Sequence, residues 1–539
     1  MKALPDIRLS QWAPLAALLT TSVLLTACGS GGDDSGSGSR PAKSGGTLTF
    51  AVGSDAGCVD PQQSGSNESI YSVRQSVDSL TDQDPETGKI VPWLAKSWDI
   101  DAEATTFTFH LRSGVTFSDG SELTAQVVKD NFDAVPKLGA LGTLAQGYLS
   151  GVKSTTVVDP LTVKVTFKVP NAQFLQATST HSLGIESSAS VKKTPQQKCS
   201  DGVIGSGPFV LKQYVQNQSI TLAKRTGYAW GSSLWSKKGE AYLDKLVFKV
   251  VPEAGVRAGS LQSGQVDAIS SVGKANEAAL KGGRVTLLRR ANPGVVFGLG
   301  FNNARPVLKE TKVRQAILSA IDRQQIADTV FPTGTQPATS VLAHTTPDYT
   351  NLASDLAFDA ARAKSLLDTA GWKAGSDGSR TKDGKKLSLT ITWFPNSATN
   401  QPALELVQQQ LNAVGVDVVL KQLQVSQFST TLQSGDFDVV WGNVTRSDPD
   451  ILRSSFSTQL GNFYHLSASS LDTALSAQAA TTDTAKRKQL VVEAQKLLVQ
   501  NAYYAPVVEL QTQLGVSKKV HDLAFDSGSR IQLHDTWIG

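Results

Sequence analysis

The sequence predicts an α/β protein, because strand patterns and helix patterns follow one another along nearly the whole chain. The 539 residues are 40% hydrophobic and 18% charged, which is the composition of an ordinary globular protein. From residue 46 onward there is no internal repeat and no long low-complexity segment. At roughly 150 residues per domain, the length suggests about three or four domains.

Strand patterns dominate the first part of the chain. Thr47–Val52 is an apolar strand pattern, and Phe107–Arg112 alternates between apolar and polar residues. Residues 155–158 and 161–169 predict a hairpin that turns at Asp159-Pro160, with Val163, Val165, Phe167 and Val169 on one face.

Helix patterns become frequent after residue 310. One apolar stripe runs over Val313, Ala316, Ile317, Ala320 and Ile321, the spacing of a helix face. Further patterns of this kind cover 359–370, 404–414 and 490–498, and the first two end at Gly371 and Gly415, as helices commonly do. Strand patterns at 387–393 and 416–420 lie between these helices. Residues from about 290 to 505 therefore predict an α/β lobe.

The N-terminus predicts export. Lys2 and Arg8 precede an apolar stretch, Trp12–Ala27, that is shorter than the roughly 20 residues of a membrane span and is typical of a secretory signal. The run Leu25-Thr26-Ala27-Cys28 resembles the lipobox of bacterial lipoproteins. The prediction is a signal peptide over 1–27, lipidation of Cys28, a flexible Gly/Ser tether over 28–45, and anchoring at the outer face of the cytoplasmic membrane. A cleaved signal that happens to contain a cysteine is the alternative.

Of the three cysteines, only Cys58 and Cys199 follow the predicted cleavage site. Export makes a disulfide between them chemically possible, and it would close a long loop. Two buried free thiols are the alternative.

Composition and motifs argue against several function classes. A net charge of +4 is too small to indicate a nucleic-acid partner. No nucleophile elbow, zinc-protease motif, C-x-x-C or phosphate loop occurs in the sequence. The six histidines are scattered and the single methionine is the initiator, so neither a metal nor a cofactor is expected. The carboxylate pairs Asp436/Asp438 and Asp448/Asp450 could serve a glycosidase, but such pairs more often form turns. No catalytic residue is predicted.

A set of motifs in a fixed order carries a family resemblance. The segment Phe107–Ala125 contains a strand ending in Leu-Arg, a Gly-Val turn, Phe-x-Asp-Gly and then Leu-Thr-Ala. The remaining motifs are spread over the chain at Pro92–Trp98, Gly205–Phe209, Phe301–Asn303, Val313–Arg323 and Ala370–Trp372. Together they resemble the peptide/nickel-type solute-binding proteins of ABC importers (family 5), which include oligopeptide- and dipeptide-binding lipoproteins.

This resemblance implies a two-lobed, periplasmic-binding-protein-like clamshell of class II type, with an extra α+β subdomain in lobe one. Lobe one would comprise 46–290 plus 506–539, with the subdomain inserted near 80–200, and lobe two would comprise 291–505. The resemblance also implies function: a monomer that encloses a peptide or peptide-like solute between the lobes and delivers it, chemically unchanged, to a membrane permease.

Two loops of lobe two are the expected ligand contacts. Trp393, Phe394 and Asn396 end a strand where the family places one ligand loop. A second segment, residues 441–450, resembles the other, and from it we select Trp441, Asn443, Thr445, Arg446 and Asp448. Alternatives remain: both tryptophans could be core residues, Arg446 a solvated charge and Asp448 a turn residue.

The chain departs from the family pattern at two of these positions. Peptide-binding relatives usually place an aspartate three residues before Asp-Pro to hold the peptide's α-ammonium, and here that position is Thr445. Dipeptide-binding relatives carry an arginine after the lobe-two strand, and here Trp393-Phe394 follows instead. A neutral threonine cannot offset the desolvation of an ammonium group. The sequence therefore favours blocked or cyclic peptides, or another polar ligand with apolar surface.

Other function classes stay open at this point. The ligand could be an oligosaccharide, a siderophore or a nickel complex. The protein could also be an exported hydrolase with carboxylates in the cleft, or a sensory or adhesive lipoprotein that works without a permease.

Overall fold

The structure, a computed structural model, describes residues 41–424 and 427–539. The predicted signal peptide, Cys28 and most of the predicted tether lie outside the described residues. Among the described residues, no helix combines the length and the hydropathy that crossing a bilayer requires.

Twenty-five strands are found in the described part of the chain. In chain order they are β1 (Thr47–Val52), β2 (Thr81–Gln83), β3 (Ile90–Pro92), β4 (Ala95–Ile100), β5 (Thr106–Leu111), β6 (Val152–Asp159), β7 (Thr162–Phe167), β8 (Phe209–Val215), β9 (Ser219–Lys224), β10 (Lys245–Val250), β11 (Ala268–Ile269), β12 (Val285–Ala291), β13 (Gly294–Phe301), β14 (Lys373–Ala374), β15 (Arg380–Lys382), β16 (Lys385–Lys386), β17 (Ser388–Trp393), β18 (Asp417–Gln422), β19 (Val439–Thr445), β20 (Tyr504–Val508), β21 (Gln511–Ser517), β22 (Val520–His521), β23 (Ala524–Phe525), β24 (Ile531–Gln532) and β25 (Trp537–Ile538).

The helices of the same residues are mostly short. They are α1 (Asn67–Val73), α2 (Ala125–Ala134), α3 (Thr143–Leu149), α4 (Phe174–Ala177), α5 (Ser188–Val191), α6 (Pro195–Asp201), α7 (Ala254–Gln262), α8 (Lys274–Leu280), α9 (Pro306–Lys309), α10 (Thr311–Ala320), α11 (Arg323–Val330), α12 (Ala360–Thr369), α13 (Asn400–Asn412), α14 (Phe428–Ser434), α15 (Ile451–Phe456), α16 (Ser470–Ala479) and α17 (Thr484–Gln500), with 3₁₀ helices at Arg74–Ser76, Val135–Gly142 and His181–Leu183.

A seven-stranded sheet, called sheet one, combines strands from both ends of the chain. Its order is β12-β21-β11-β1-β10-β9-β8. The strand β1 pairs in parallel with β10 and β11, whereas β21 pairs antiparallel with both β11 and β12. The C-terminal segment therefore completes a sheet that the N-terminal segment begins.

A five-stranded sheet, called sheet two, is built from the middle of the chain in the order β18-β17-β19-β13-β20. The strand β17 is parallel to β18 and β19, and β13 is antiparallel to β19 and β20. Every residue of β13 is buried, as expected for a central strand with both faces covered. The helices α10 to α13 and α17 contribute buried residues to the core around this sheet.

A four-stranded antiparallel sheet, β4-β5-β7-β6, lies in the inserted region of the chain. It has its own core, centred on Phe107, Phe109, Phe167 and Phe174. The predicted hairpin is present as β6 and β7, but Val169 lies beyond the end of β7 and is 55% exposed. The predicted apolar face therefore ends at Phe167.

Local sequence determines three helix boundaries. Gly371 and Gly415 have φ values of +85° and +90°, conformations that an L side chain rarely adopts, and each follows a helix as predicted. The predicted stripe through Ile321 is too long, because α10 ends at Ala320 and Ile321 has an extended backbone. The reason is Asp322, whose side chain accepts a hydrogen bond from Gln325 N and so begins α11.

A disulfide joins Cys58 to Cys199. It connects the loop after β1 to helix α6, where Val59 N also donates to Cys199 O at 3.1 Å. The bond therefore ties the inserted region to the N-terminal strand of sheet one.

Candidate functional site

The two predicted ligand loops lie at one edge of sheet two. The strands β17 and β19 are parallel neighbours with Ile391 opposite Val439, so the residues that follow them meet at the same edge. The strand β13 begins at this edge, with Gly294 opposite Thr445. The chain from lobe one therefore enters lobe two beside both loops.

Sheet one presents the corresponding edge. The parallel strands β1 and β11 end there at Val52 and Ile269, and the pair Ala291–Gln511 lies beyond them in the same direction. Both crossings between the sheets meet sheet one at this edge: the first leaves it after Ala291, and the second reaches it at Gln511. In open α/β sheets, ligands bind outside the carboxyl ends of the strands, and here two such edges are joined by short connections.

The two crossings lie against each other. Asn292 N, in the first, donates to Leu510 O, in the second, at 2.7 Å. The buried Asn292 side chain also accepts from Thr512 Oγ1 at 2.7 Å. The second crossing carries Glu509, which is 2% exposed and accepts from His344 N at 2.9 Å and contacts His344 Nδ1 at 2.5 Å. The hydrogen bond with Glu509 raises the pKa of His344, against the opposing effect of its burial.

On the lobe-one side, Glu68 joins the ends of two strands. Its carboxylate accepts from Gly53 N at 2.8 Å, from Ser270 Oγ at 2.6 Å and from Ser271 Oγ at 2.5 Å. These donors directly follow β1 and β11, so Glu68 fixes the loops that form this edge. This role cannot be predicted from the sequence, because it depends on residues about 200 positions apart being adjacent in space.

Arg446 extends from the second loop to the inserted region. Its guanidinium lies 4.5 Å from the ring centroid of Tyr148 in α3, a cation–π geometry. Arg446 N donates to Pro293 O at 3.1 Å. Arg446 Nε is buried and makes no hydrogen bond to the described residues. A strong, unused donor therefore lies at the edge where the two lobes meet.

A backbone hydrogen bond forms a second contact in this region. Ala172 N, in the inserted region, donates to Ala479 O at the end of α16, at 2.9 Å. With the Arg446–Tyr148 contact, it brings the inserted region against lobe two.

The tryptophans are held within the lobe-two core. Trp393 is 6% exposed and Trp441 is 2% exposed. Trp441 stacks on Phe297, with ring centroids 5.3 Å apart, and its Nε1 donates to Asn400 Oδ1 at 3.0 Å. Both tryptophans therefore pack among residues of the lobe-two core, as the alternative interpretation expects.

Phe394 and Asn396 have different environments. Phe394 is buried in a small cluster with Leu432, Phe437 and Val440. Asn396 is exposed and accepts from Asn400 Nδ2 at 2.8 Å. The Asn400 side chain also accepts from Trp441 Nε1, so Asn400 connects the two loops. This role of Asn400 is not predicted from the sequence.

Asp448 is engaged within the protein. Arg487 donates to it twice, at 2.6 and 3.1 Å, and Asp450 N donates at 2.8 Å. Burial would lower the pKa of Arg487, but the charges of Asp448 and Asp450 and the hydrogen bonds to Asp448 outweigh that effect and raise it. The side chain therefore braces the loop, as a turn residue would.

Asn443 and Thr445 complete the predicted set. Both lie on β19 and are partly exposed. Of the eight predicted contacts, Asn396, Asn443, Thr445 and Arg446 thus combine a position at the sheet edge with some solvent exposure. Tyr148, which faces Arg446, has no distinguishing signal in the sequence.

The sequence is similar to those of known proteins. A family model described as bacterial extracellular solute-binding proteins, family 5 Middle, matches residues 89–463. The glutathione-binding protein GsiB of Salmonella typhimurium is 25% identical over 486 residues, which is 87% of this chain and 90% of that protein. GsiB of Escherichia coli O157:H7 is 25% identical over 475 residues, covering 86% and 88%.

Solved structures show the same fold. NikA from Brucella suis, in complex with Fe(III)-EDTA, matches with a TM-score of 0.79 and 24% identity, covering 92% of this chain and 100% of that one. AppA from Bacillus subtilis, in complex with a nonapeptide, matches with a TM-score of 0.74 and 21% identity over 93% and 100%. The predicted two-lobed α/β clamshell with an extra subdomain is thereby confirmed.

Proposed function

Because the chain belongs to family 5 of the bacterial extracellular solute-binding proteins, we propose that it captures a peptide-like solute between its lobes and delivers it to the permease of an ABC importer. Members of this family bind solutes and are not enzymes, so the alternative of an exported hydrolase is wrong. The lobes would comprise 46–290 plus 506–539 and 291–505, and the proposal includes export and lipid anchoring through Cys28.

Arg446 is the observation that carries the proposed ligand class. It lies at the edge of sheet two, reaches the inserted region through Tyr148 and keeps a buried donor, Nε, without a protein partner. A guanidinium in a closing cleft recognises a carboxylate through short, charge-assisted hydrogen bonds. We therefore infer that the solute carries a carboxylate that faces Arg446.

Thr445 supports a further restriction on the ligand. It offers a hydroxyl where peptide-binding relatives usually present a carboxylate, so this loop cannot neutralise an α-ammonium group. The ligand's carboxylate should then contribute more affinity than its ammonium group. Glutathione, which the GsiB relatives are named for binding, is a peptide with two carboxylates and is the first natural ligand to test.

Calorimetry with matched tripeptides tests the ligand class. Trialanine retains both terminal charges, N-acetyl-trialanine retains only the carboxylate, and trialanine amide retains only the ammonium group. Maltotriose serves as an uncharged comparison. We expect removal of the carboxylate to weaken binding at least tenfold and removal of the ammonium group to weaken it less. Arg446→Met should abolish the preference for the carboxylate, and Arg446→Lys, the matched control, should retain part of it.

The same measurements can overturn the proposal. Equal affinity for trialanine and trialanine amide would show that Arg446 does not recognise a carboxylate of the ligand. Binding of maltotriose with no binding of any peptide would remove the peptide-like class altogether.

A further inference from the structure

A second cavity lies within lobe one, and no residue of sheet two lines it. It has a volume of about 550 Å³ and is lined by three segments: residues 74–85, the loop between β9 and β10, and the C-terminal residues 522–535. None of its lining residues comes from the two lobe-two loops, so it is separate from the site of the proposed function. Its volume is typical of small-molecule sites.

Two opposite charges are buried in its wall without forming an ion pair. Arg74 is 5% exposed and Asp82 is 9% exposed. Arg74 donates to Ser79 Oγ at 2.7 Å and to Ser179 O at 3.1 Å, and its guanidinium lies 4.6 Å from the ring centroid of Trp93. Asp82 accepts from Gln83 N at 2.9 Å and has a side-chain hydrogen bond with Ser232. Among the described residues, neither has an opposite charge within 4.0 Å. Buried charges are normally paired, because leaving one unpaired is costly.

The electrostatics of the cavity favour a ligand with both charges. Burial raises the pKa of Asp82 to about 6, with the charge of Arg74 partly offsetting that effect, and burial lowers the pKa of Arg74. Each charge is thus disfavoured by its surroundings and would be stabilised by an opposite charge from a ligand. Lys237 also lines the cavity, together with Asp84, Asp522, Asp526 and Asp535. The acidic groups outnumber the basic ones, so the net negative potential favours an ammonium group.

We propose that this lobe-one cavity binds a free amino acid, with its carboxylate at Arg74 and its α-ammonium group at Asp82. A zwitterion supplies both missing partners at once, whereas an anion or a cation of similar size supplies only one. The site is independent of the interlobe cleft, so the protein would bind an amino acid and its transported solute at the same time.

Titration calorimetry of the full chain with L-alanine tests the proposal, with acetate and ethylamine as single-charge controls. We expect L-alanine to bind at least tenfold more tightly than either control. Asp82→Asn should weaken L-alanine binding at least tenfold, and Ser236→Trp, which fills the cavity from an exposed position, should abolish it. Arg446→Met, in the cleft, should leave it unchanged. Retained melting temperatures would show that the variants are folded.

Proton release gives an independent readout. An ammonium group beside Asp82 favours the ionised carboxylate, so binding at pH 6 should release protons and binding at pH 8 should release none, as measured in two buffers of different ionisation enthalpy. No detectable binding of L-alanine, unchanged affinity in Asp82→Asn, or loss of binding in Arg446→Met would each overturn the proposal.

Discussion

Arg446 illustrates how a single side chain connects two parts of the fold. Its backbone nitrogen is bonded to the first crossing at Pro293, and its guanidinium lies over Tyr148 in the inserted region. A change at this position would therefore alter both the proposed ligand contact and the contact between lobes. For that reason the lysine control is informative, because it keeps the charge and loses the planar group.

Thr445→Asp should improve the binding of peptides with a free α-amine. The new carboxylate supplies the charge-assisted partner that the threonine lacks, and such a hydrogen bond contributes about 1.5–3 kcal/mol. Affinity for trialanine should then rise about tenfold or more, while affinity for N-acetyl-trialanine should not rise. Calorimetry measures both. The isosteric control Thr445→Val should give no gain, and an equal change for both peptides would mean that the loop is misassigned.

Asp448 and Arg487 should act on stability rather than on ligand affinity. Removing one member of a buried ion pair leaves the other charge unpaired, which costs about 3–5 kcal/mol. Asp448→Asn should lower the free energy of unfolding, as measured by denaturant titration, and the double variant Asp448→Asn/Arg487→Met should recover part of the loss. Ligand affinity of the folded variants should be unchanged. A large loss of affinity in a stably folded variant would restore Asp448 as a ligand contact.

How far the sequence predicts the site depends on what each side chain meets. The position of the two loops follows from strands that the sequence shows, and the structure places them at one edge. Burial is harder to foresee: Trp441 becomes a core residue only because Phe297 and Asn400, 144 and 41 positions away in sequence, pack against it. Glu68 and Tyr148 were missed because long-range contacts alone distinguish them.

The disulfide links a loop to a helix across 141 residues of chain. Replacing both cysteines, as Cys58→Ser/Cys199→Ser, should lower the free energy of unfolding by about 2–5 kcal/mol, because the unfolded chain loses a long closed loop. Denaturant titration with and without reductant measures this. Reductant should affect the native chain and leave the double variant unchanged, and equal stability of the two would contradict the prediction.

The second crossing should make stability depend on pH. The pKa of His344 is raised by Glu509, so protonated His344 stabilises the folded state. That contribution is complete below the ordinary histidine pKa of about 6.5 and is lost as the pH rises through the raised value. The melting temperature of the native chain should therefore exceed that of His344→Gln, and the difference should be larger at pH 5.5 than at pH 8.5. A difference that is constant with pH would exclude this role.

The helices show where local patterns suffice and where they do not. Apolar spacing and glycine stops located α12 and α13 well, since both signals are encoded within the segments themselves. The predicted helix through Ile321 is too long because Asp322 caps the next helix. Apolar periodicity alone does not reveal such a cap. The clamshell needed the family resemblance, because periodicity cannot show that strands from both termini share one sheet.

Ligand should change the relation between the lobes. Binding-protein closure moves lobes about a hinge, and a ligand shifts the population only as far as it prefers the closed form. Saturating N-acetyl-trialanine should reduce the radius of gyration measured by small-angle X-ray scattering, relative to the ligand-free chain. Tyr148→Leu, which removes the contact with Arg446, should enlarge the ligand-free radius. Identical scattering with and without a bound ligand would rule out closure.

The place of β21 between β12 and β11 has a consequence for how the protein is made. Both of those strands pair with β21, whose residues follow all the strands of sheet two along the chain. Sheet two uses only residues 294 to 508 and can assemble earlier. Lobe one must therefore wait until β21 has been synthesised, and a nascent chain truncated before residue 511 should present one folded lobe beside an unfinished one.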